Sequence, residues 1–106
     1  MEKVDLVAKA MFMEKMGHML DAGIPLVRTL KTLQTEIDNP LAKTAMGKML
    51  KGIELQDEKF NVREWLDKDY FKESEIAILE VGFLDRRPDR SFLVIAQWVE
   101  KELLAL

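Results

Sequence analysis

The chain has 106 residues, of which 48% are apolar and 33% are charged. This balance excludes a disordered segment and a membrane span, and it predicts one soluble domain, residues 1–106, around a single core. The 16 basic and 19 acidic residues leave a net charge of −3, so no global field favours nucleic acid as a partner. The lack of cysteine excludes disulfides, thiolate metal sites and a cysteine nucleophile, and is compatible with the cytoplasm.

The N-terminus carries acidic residues early and has no apolar run typical of a signal peptide. A first helix is predicted over residues 4 to 21, and Gly23 ends it. Pro25 then supplies the fixed φ angle for the start of a second helix. The apolar stripes of these two helices consist of Ala8, Phe12, Met16, Met19 and Leu20, and of Leu26, Leu30, Leu33 and Ile37.

The third helix is predicted from Asn39 as the N-cap and Pro40 as the first helical residue, with Gly52 at its end. Its buried face contains Leu41, Ala45, Met46, Met49 and Leu50. The stretch from Ile53 to Phe60 has no clean period. Asn61 and Glu64 then have the spacing of a capping box, which predicts a short fourth helix.

A fifth helix follows Tyr70 and Phe71, and Asp85 is predicted to cap a sixth. Their apolar sides contain Ile76, Leu79, Val81 and Phe83, and Phe92, Ile95, Ala96, Val99, Leu103 and Leu106. No β-hairpin signal or internal repeat occurs. The sequence therefore predicts an all-α fold, a compact antiparallel six-helix bundle.

The sequence predicts no catalysis, cofactor or metal. Phosphate loops, the nucleophile elbow and zinc-hydrolase motifs are all missing. His18 lies four residues after Glu14, but a lone histidine favours a surface position over a metal ligand. The acid pairs Glu73 with Glu75 and Asp67 with Asp69 are interpreted as solvated helix ends rather than as a cation site.

The seven methionines are compatible with two roles, because methionine lines adaptable binding grooves as well as protein cores. Core filling is favoured for Met16, Met19, Met46 and Met49, whose spacing matches the buried stripes. Met11 and Met13 stay undecided between these two roles.

Arg86, Arg87 and Arg90 lie close together at the start of the sixth helix, where they either contact a partner or are neutralised by Asp85 and Asp89.

The run Phe12-Met-Glu-Lys-Met-Gly-His-Met-Leu-Asp-Ala-Gly23-Ile-Pro25-Leu-Val-Arg-Thr-Leu30 resembles the cytoplasmic domain of the type II secretion F family. That family has a phenylalanine, a leucine-rich turn, and then Ala-Gly-Ile/Val-Pro-Leu. Gly52 and the pair Tyr70 and Phe71 match further family positions. Gly82 begins a stretch similar to the Gly-Glu-x-x-Gly-x-Leu signature, but Phe83 replaces the glutamate and the second glycine is missing.

The resemblance covers residues 12 to 100 and implies a divergent member, similar to the toxin-coregulated or bundle-forming pilus type. It implies the first cytoplasmic copy of a repeated domain in the inner-membrane platform protein of a type IV pilus or type II secretion system. Such a platform couples the assembly ATPase to pilin or pseudopilin polymerisation at the cytoplasmic face of the bacterial inner membrane. The isolated domain is expected to be a monomer or weak dimer. The apolar ending Leu103 to Leu106 predicts that a membrane segment follows in the full-length protein.

Two kinds of site residue follow. Gly23 and Pro25 are predicted to form a structural corner. The loops after helices one, three and five are expected to meet at one end of the bundle, where an apolar patch with a basic rim binds the ATPase or another component of the machine. Its predicted members are Ile24, Ile53, Leu55, Phe60, Phe83, Leu84, Arg86 and Arg87. The alternative for the apolar members is plugging of the core, and the alternative for the whole chain is a free cytosolic helical adaptor or regulatory binding domain.

Overall fold

The computed structural model describes residues 4–55 and 61–106, which form six α-helices and no strand. The all-α prediction is therefore confirmed, with 77% of the described residues in helices. The helices are α1 (Leu6–Asp21), α2 (Leu26–Glu36), α3 (Pro40–Glu54), α4 (Val62–Trp65), α5 (Glu73–Leu84) and α6 (Pro88–Leu104).

Side-chain caps explain where two of the helices begin. The Asp5 carboxylate accepts a hydrogen bond of 3.1 Å from the Ala8 amide, which satisfies one of the free N–H groups at the start of α1. The Asn39 side chain accepts a hydrogen bond of 3.0 Å from the Ala42 amide, and Pro40 is the first residue of α3. The predicted start of the third helix is therefore confirmed.

The turn after α1, at the predicted corner, has the geometry of a Schellman motif. Gly23 has a φ of 88°, and its amide donates to the Leu20 carbonyl at 3.0 Å. The Ile24 amide donates to the Met19 carbonyl at 3.1 Å. Pro25, with a φ of −59°, is the N-cap of α2. Two of the carbonyls at the end of α1 are thereby satisfied, and the chain reverses within a few residues.

Replacing Gly23 by valine should lower the free energy of unfolding by about 1 kcal/mol or more, because a β-branched residue is strained at positive φ. The space around Gly23 is open, with nothing within 4 Å of an added Cβ, so backbone strain is the expected cause. Urea denaturation measures the effect. Gly23→Asn is the control, since asparagine tolerates this conformation and should lose less stability. Equal losses for the two variants would contradict the left-handed assignment.

Each helix packs against the next one along the chain, and α6 packs back along α1 in the most extensive interface. The stripes meet in a single core. Its large members with almost no exposure include Phe12, Met13, Met16, Leu30, Leu33, Met46, Met49, Leu66, Phe71, Ile76 and Phe92. Core filling is confirmed for Met16, Met46 and Met49, while Met19 is only half-buried.

Two contacts show how α6 lies against its neighbours. Gly17, late in α1, has no side chain where Leu93 and the Asp89 carbonyl from the first half of α6 approach. At the other end, the Lys72 ammonium before α5 pairs with the Glu102 carboxylate near the end of α6. Val4, Leu6 and Lys72 line one cavity with Glu102. The first turns of α1 and α5 therefore lie near the last turns of α6.

The ends of α5 and α6 correct three sequence predictions. Asp85 is the C-cap of α5 rather than the cap of α6, which begins at Pro88 after Arg87. The reason is a second Schellman motif, in which Arg86 has a φ of 59° and the Arg87 amide donates to the Gly82 carbonyl at 2.8 Å. Val81, predicted on the apolar side of the helix, is 56% exposed. Leu106, predicted in the buried stripe of α6, lies after the helix and is 90% exposed.

Two predicted boundaries also differ. Gly52 does not close α3, which continues to Glu54; a glycine is required there because the Trp65 ring occupies the space of a side chain. Asn61 precedes the short helix α4 as expected, but its side chain makes no capping hydrogen bond. The capping interaction forms instead before α5, where the Glu75 carboxylate accepts a hydrogen bond of 2.9 Å from the Lys72 amide.

Candidate functional site

The predicted patch of apolar and basic residues divides into core-packed and exposed members. Ile53 and Phe83 are half-buried and pack against the core. The Phe83 ring makes edge-on contacts with Trp65 and Phe92, at centroid distances of 6.0 and 6.4 Å. Much of the surface of these two side chains is therefore committed to the fold. Ile24 is half-buried in the Schellman turn.

The exposed apolar residues are the better candidates for contact with a partner. Leu84 is 76% exposed and Leu55 is 70% exposed. Val81 lies three residues before Leu84 on α5 and extends the same exposed stripe, although the sequence interpretation placed it in the core. Phe60 lies outside the described residues. We call Leu55, Val81, Leu84, Arg86 and Arg87 the loop-end patch.

The two arginines of this patch have different environments. The Arg87 guanidinium donates to both carboxylate oxygens of Asp89, at 3.1 and 3.0 Å, and these hydrogen bonds lower the pKa of Asp89. The alternative that Asp89 neutralises a nearby arginine is confirmed for Arg87. Arg86 is exposed and forms no ion pair with any residue that the structure describes. Arg86 is therefore more available than Arg87 for an ion pair with a partner.

Contacts link the loops of the patch. The pKa of Arg87 is raised by its hydrogen bond with Asp89 and, to a smaller extent, by the charge of Asp21 at the end of α1. The end of α3 approaches Trp65 at Gly52, and Trp65 in turn contacts Phe83 at the end of α5. The end of α1 therefore lies within electrostatic reach of Arg87, and the end of α3 is linked through Trp65 to the end of α5.

A buried ion pair, which the sequence interpretation missed, joins α1 to α5. Lys9 and Glu75 are each only 2% exposed, and the Lys9 Nζ lies 2.7 Å from the Glu75 Oε1. The Lys9 ammonium also donates to the Tyr70 carbonyl at 2.7 Å. The interpretation of Glu75 as a solvated acid is therefore wrong. The sequence does contain a sign that Lys9 is buried, because Lys9 lies three residues before Phe12 on the same face of α1.

Aromatic rings complete the surroundings of this ion pair. The Lys9 Nζ lies 5.1 Å from the ring centre of Tyr70 and 5.7 Å from that of Phe71. The Tyr70 hydroxyl is buried without a hydrogen-bond partner in the described part of the chain. Burial and the charges of Glu75 and Asp5 raise the pKa of Tyr70. This cluster ties α1 to α5, and Lys9, Tyr70 and Phe71 also line the cavity beside Lys72 and Glu102.

The remaining candidates are surface groups. The His18 Nε2 lies 3.6 Å from the Glu14 Oε1, and both side chains are more than half exposed, so the predicted surface position of His18 is confirmed. Residues 4–55 and 61–106 contain no cluster of three or more histidines and carboxylates arranged to hold a metal ion. In the same residues, no helix combines the length and the apolar character needed to cross a membrane.

Comparison with models of known protein families, with curated proteins and with solved structures found no match to this chain.

Proposed function

We propose that this chain is the first cytoplasmic domain of the inner-membrane platform protein of a type IV pilus or type II secretion system. The observation that carries the proposal is the corner at Gly23 and Pro25. The family pattern requires Ala-Gly-Ile-Pro-Leu at a helix-to-helix turn, and here Gly23 has a φ of 88° between α1 and α2. The positive φ by itself explains why a glycine is favoured at this position, independently of the resemblance.

The glycine of the divergent signature also has a physical role that supports the proposal. Gly82 lies in α5 where Ser91 of α6 approaches too closely for a side chain. The position of the missing second glycine, four residues later, is Arg86, whose φ of 59° is the conformation that glycine adopts most easily. The divergent chain thus keeps the backbone geometry that a glycine would favour.

In this proposal the six helices form an antiparallel bundle with both termini at one end. The closeness of Val4 and Leu6 to Glu102 supports this arrangement, as does the approach of Gly17 to the first half of α6. Leu104 and Leu106 at that end are 88% and 90% exposed. We assign that end to the membrane side, because these exposed leucines lie there.

The loop-end patch then faces the cytoplasm and is the proposed contact for the assembly ATPase. Leu84 and Leu55 supply exposed apolar anchors, and Arg86 supplies a cation without an ion-pair partner among the described residues. The domain transmits movement through protein contacts and hydrolyses nothing itself, in line with the absence of nucleotide-binding motifs.

Leu84→Asp and Arg86→Glu should each reduce capture of the purified assembly ATPase by this domain about tenfold, the loss expected for an interface anchor. Both positions are exposed, so the circular dichroism spectrum and the thermal midpoint should stay close to those of the parent. The matched controls are Leu104→Asp and Lys43→Glu, which introduce the same charges at exposed positions outside the patch. They should bind as well as the parent.

The proposed contact is contradicted if folded Leu84→Asp and Arg86→Glu variants capture the ATPase as well as the parent does. It is also contradicted if the control variants lose as much binding as the patch variants, since general charge would then explain the effect.

A further inference from the structure

A groove of about 420 Å³ lies between α1 and the turn that joins α2 to α3. It is separate from the loop-end patch, because it involves the first half of α1 and the start of α3. Its lining includes the apolar side chains of Phe12 and Ile37. Met11 also lines the groove and is 54% exposed, although Met13, two residues later, is fully buried. Core filling therefore does not explain the position of Met11.

The rim of the groove is acidic. Three carboxylates, from Asp5, Glu36 and Asp38, line it together with the single ammonium group of Lys15. The Lys15 Nζ lies 3.5 Å from the Glu36 Oε2, so one negative charge is already balanced. Asp5 caps α1, whereas the exposed Asp38 forms no ion pair with any described residue. A ligand that brings positive charge would therefore complement this rim.

We propose that this groove binds a segment of a partner protein in which an apolar side chain lies next to lysine or arginine residues. The apolar side chain packs on Met11 and Ile37, because the unbranched methionine adapts to different shapes. The neighbouring basic groups pair with Asp38 and Asp5 at the rim. The charge is opposite to that expected for a partner of the loop-end patch, so the two surfaces select different partners. This inference does not depend on the proposed function.

The test is a titration of the isotope-labelled domain followed by nuclear magnetic resonance. The probe is the peptide acetyl-Lys-Leu-Lys-Lys-Leu-Lys-amide, compared with one in which serine replaces leucine and one in which glutamate replaces lysine. The basic leucine peptide should shift the amide signals of residues 5–15 and 36–39, and the shifts should weaken with added salt. The other two peptides should cause much smaller shifts, since each lacks half of the proposed chemistry.

Two groove variants and a control complete the experiment. Asp38→Asn and Met11→Ser should each weaken binding of the basic peptide about fivefold, as expected for one exposed charge pair or one partly buried side chain. Asp85→Asn removes an exposed carboxylate outside the groove and should leave binding unchanged. The proposal is overturned if no groove signal shifts, if the serine peptide binds equally well, or if Asp85→Asn has as large an effect as Asp38→Asn.

Discussion

Lys9→Met should lower the free energy of unfolding by about 3 kcal/mol or more, because it leaves the Glu75 carboxylate buried without its cationic partner. For a domain of about 100 residues, this corresponds to a fall in the melting temperature of about 15 °C. The Tyr70 carbonyl also loses its hydrogen bond from the ammonium group. Urea denaturation and a thermal melt measure the loss.

A double-mutant cycle with Glu75→Gln separates the ion pair from general packing. Glutamine keeps an oxygen that can accept the hydrogen bond from the Lys72 amide, so the start of α5 stays capped. The variant that combines Lys9→Met with Glu75→Gln should lose less stability than the sum of the two single losses, by about 2 kcal/mol, because it buries no unpaired charge.

The matched control is the exposed pair of Lys15 and Glu36, whose side chains are about half exposed and whose charged atoms lie 3.5 Å apart. Lys15→Met should change the free energy of unfolding by less than about 1 kcal/mol, since water already solvates both charges. Equal losses for Lys15→Met and Lys9→Met would show that the buried pair contributes no more than an ordinary surface contact.

Gly82→Ala should destabilise the domain by about 2 kcal/mol, although alanine is the better helix former. An added Cβ would overlap the Ser91 hydroxyl, lie 2.9 Å from the Ser91 Cβ and lie 3.3 Å from the Arg87 carbonyl oxygen. Rotating the Ser91 side chain away would break the hydrogen bond of 2.8 Å that its hydroxyl donates to the Ile78 carbonyl. The substitution therefore forces α5 and α6 apart.

Gly47→Ala provides the control, because Gly47 lies within α3 and only the Gln34 side chain comes near an added Cβ, at 3.7 Å. This change gains the helix propensity of alanine without a clash and should stabilise the domain by about 0.5–1 kcal/mol. The difference between the two variants, measured by urea denaturation, isolates the cost of the close approach. Similar midpoints for both variants would contradict the packing of α5 on α6.

The positions of the helices were predictable where the local sequence carries strong signals. Asn39 followed by Pro40 gives the start of α3, and Gly23 followed by Pro25 gives the turn between α1 and α2. These signals act within a few residues along the chain. They can therefore be recognised without knowledge of the neighbouring helices.

The candidate site was less predictable. Leu84 and Leu55 are exposed as the patch requires, but Phe83 and Ile53 pack on the core. An apolar residue near the end of a helix can turn towards the core or the solvent, and the choice depends on which other helix covers it. The groove at Met11 was not predicted, because its walls come from segments about 25 residues apart in the chain.

Asp85 shows how a local signal fails when a competing structure is stronger. An aspartate before a helical stripe is a good N-cap, but here the Arg86 conformation lets the Arg87 amide bond back to Gly82. Asp85 therefore ends α5 instead of capping the start of α6.

The sequence by itself determined the all-α class, the order of the helices and the Gly23 corner, because apolar periodicity and capping depend on neighbouring residues. Only the tertiary structure decided that Lys9 and Glu75 form a buried pair, since they are 66 positions apart and each alone is typical of a solvated helix. The tertiary structure also explains Gly52 and Gly82, because Trp65 and Ser91 on other segments occupy the space that a side chain at these positions would need. Long-range packing leaves no local pattern from which those contacts follow.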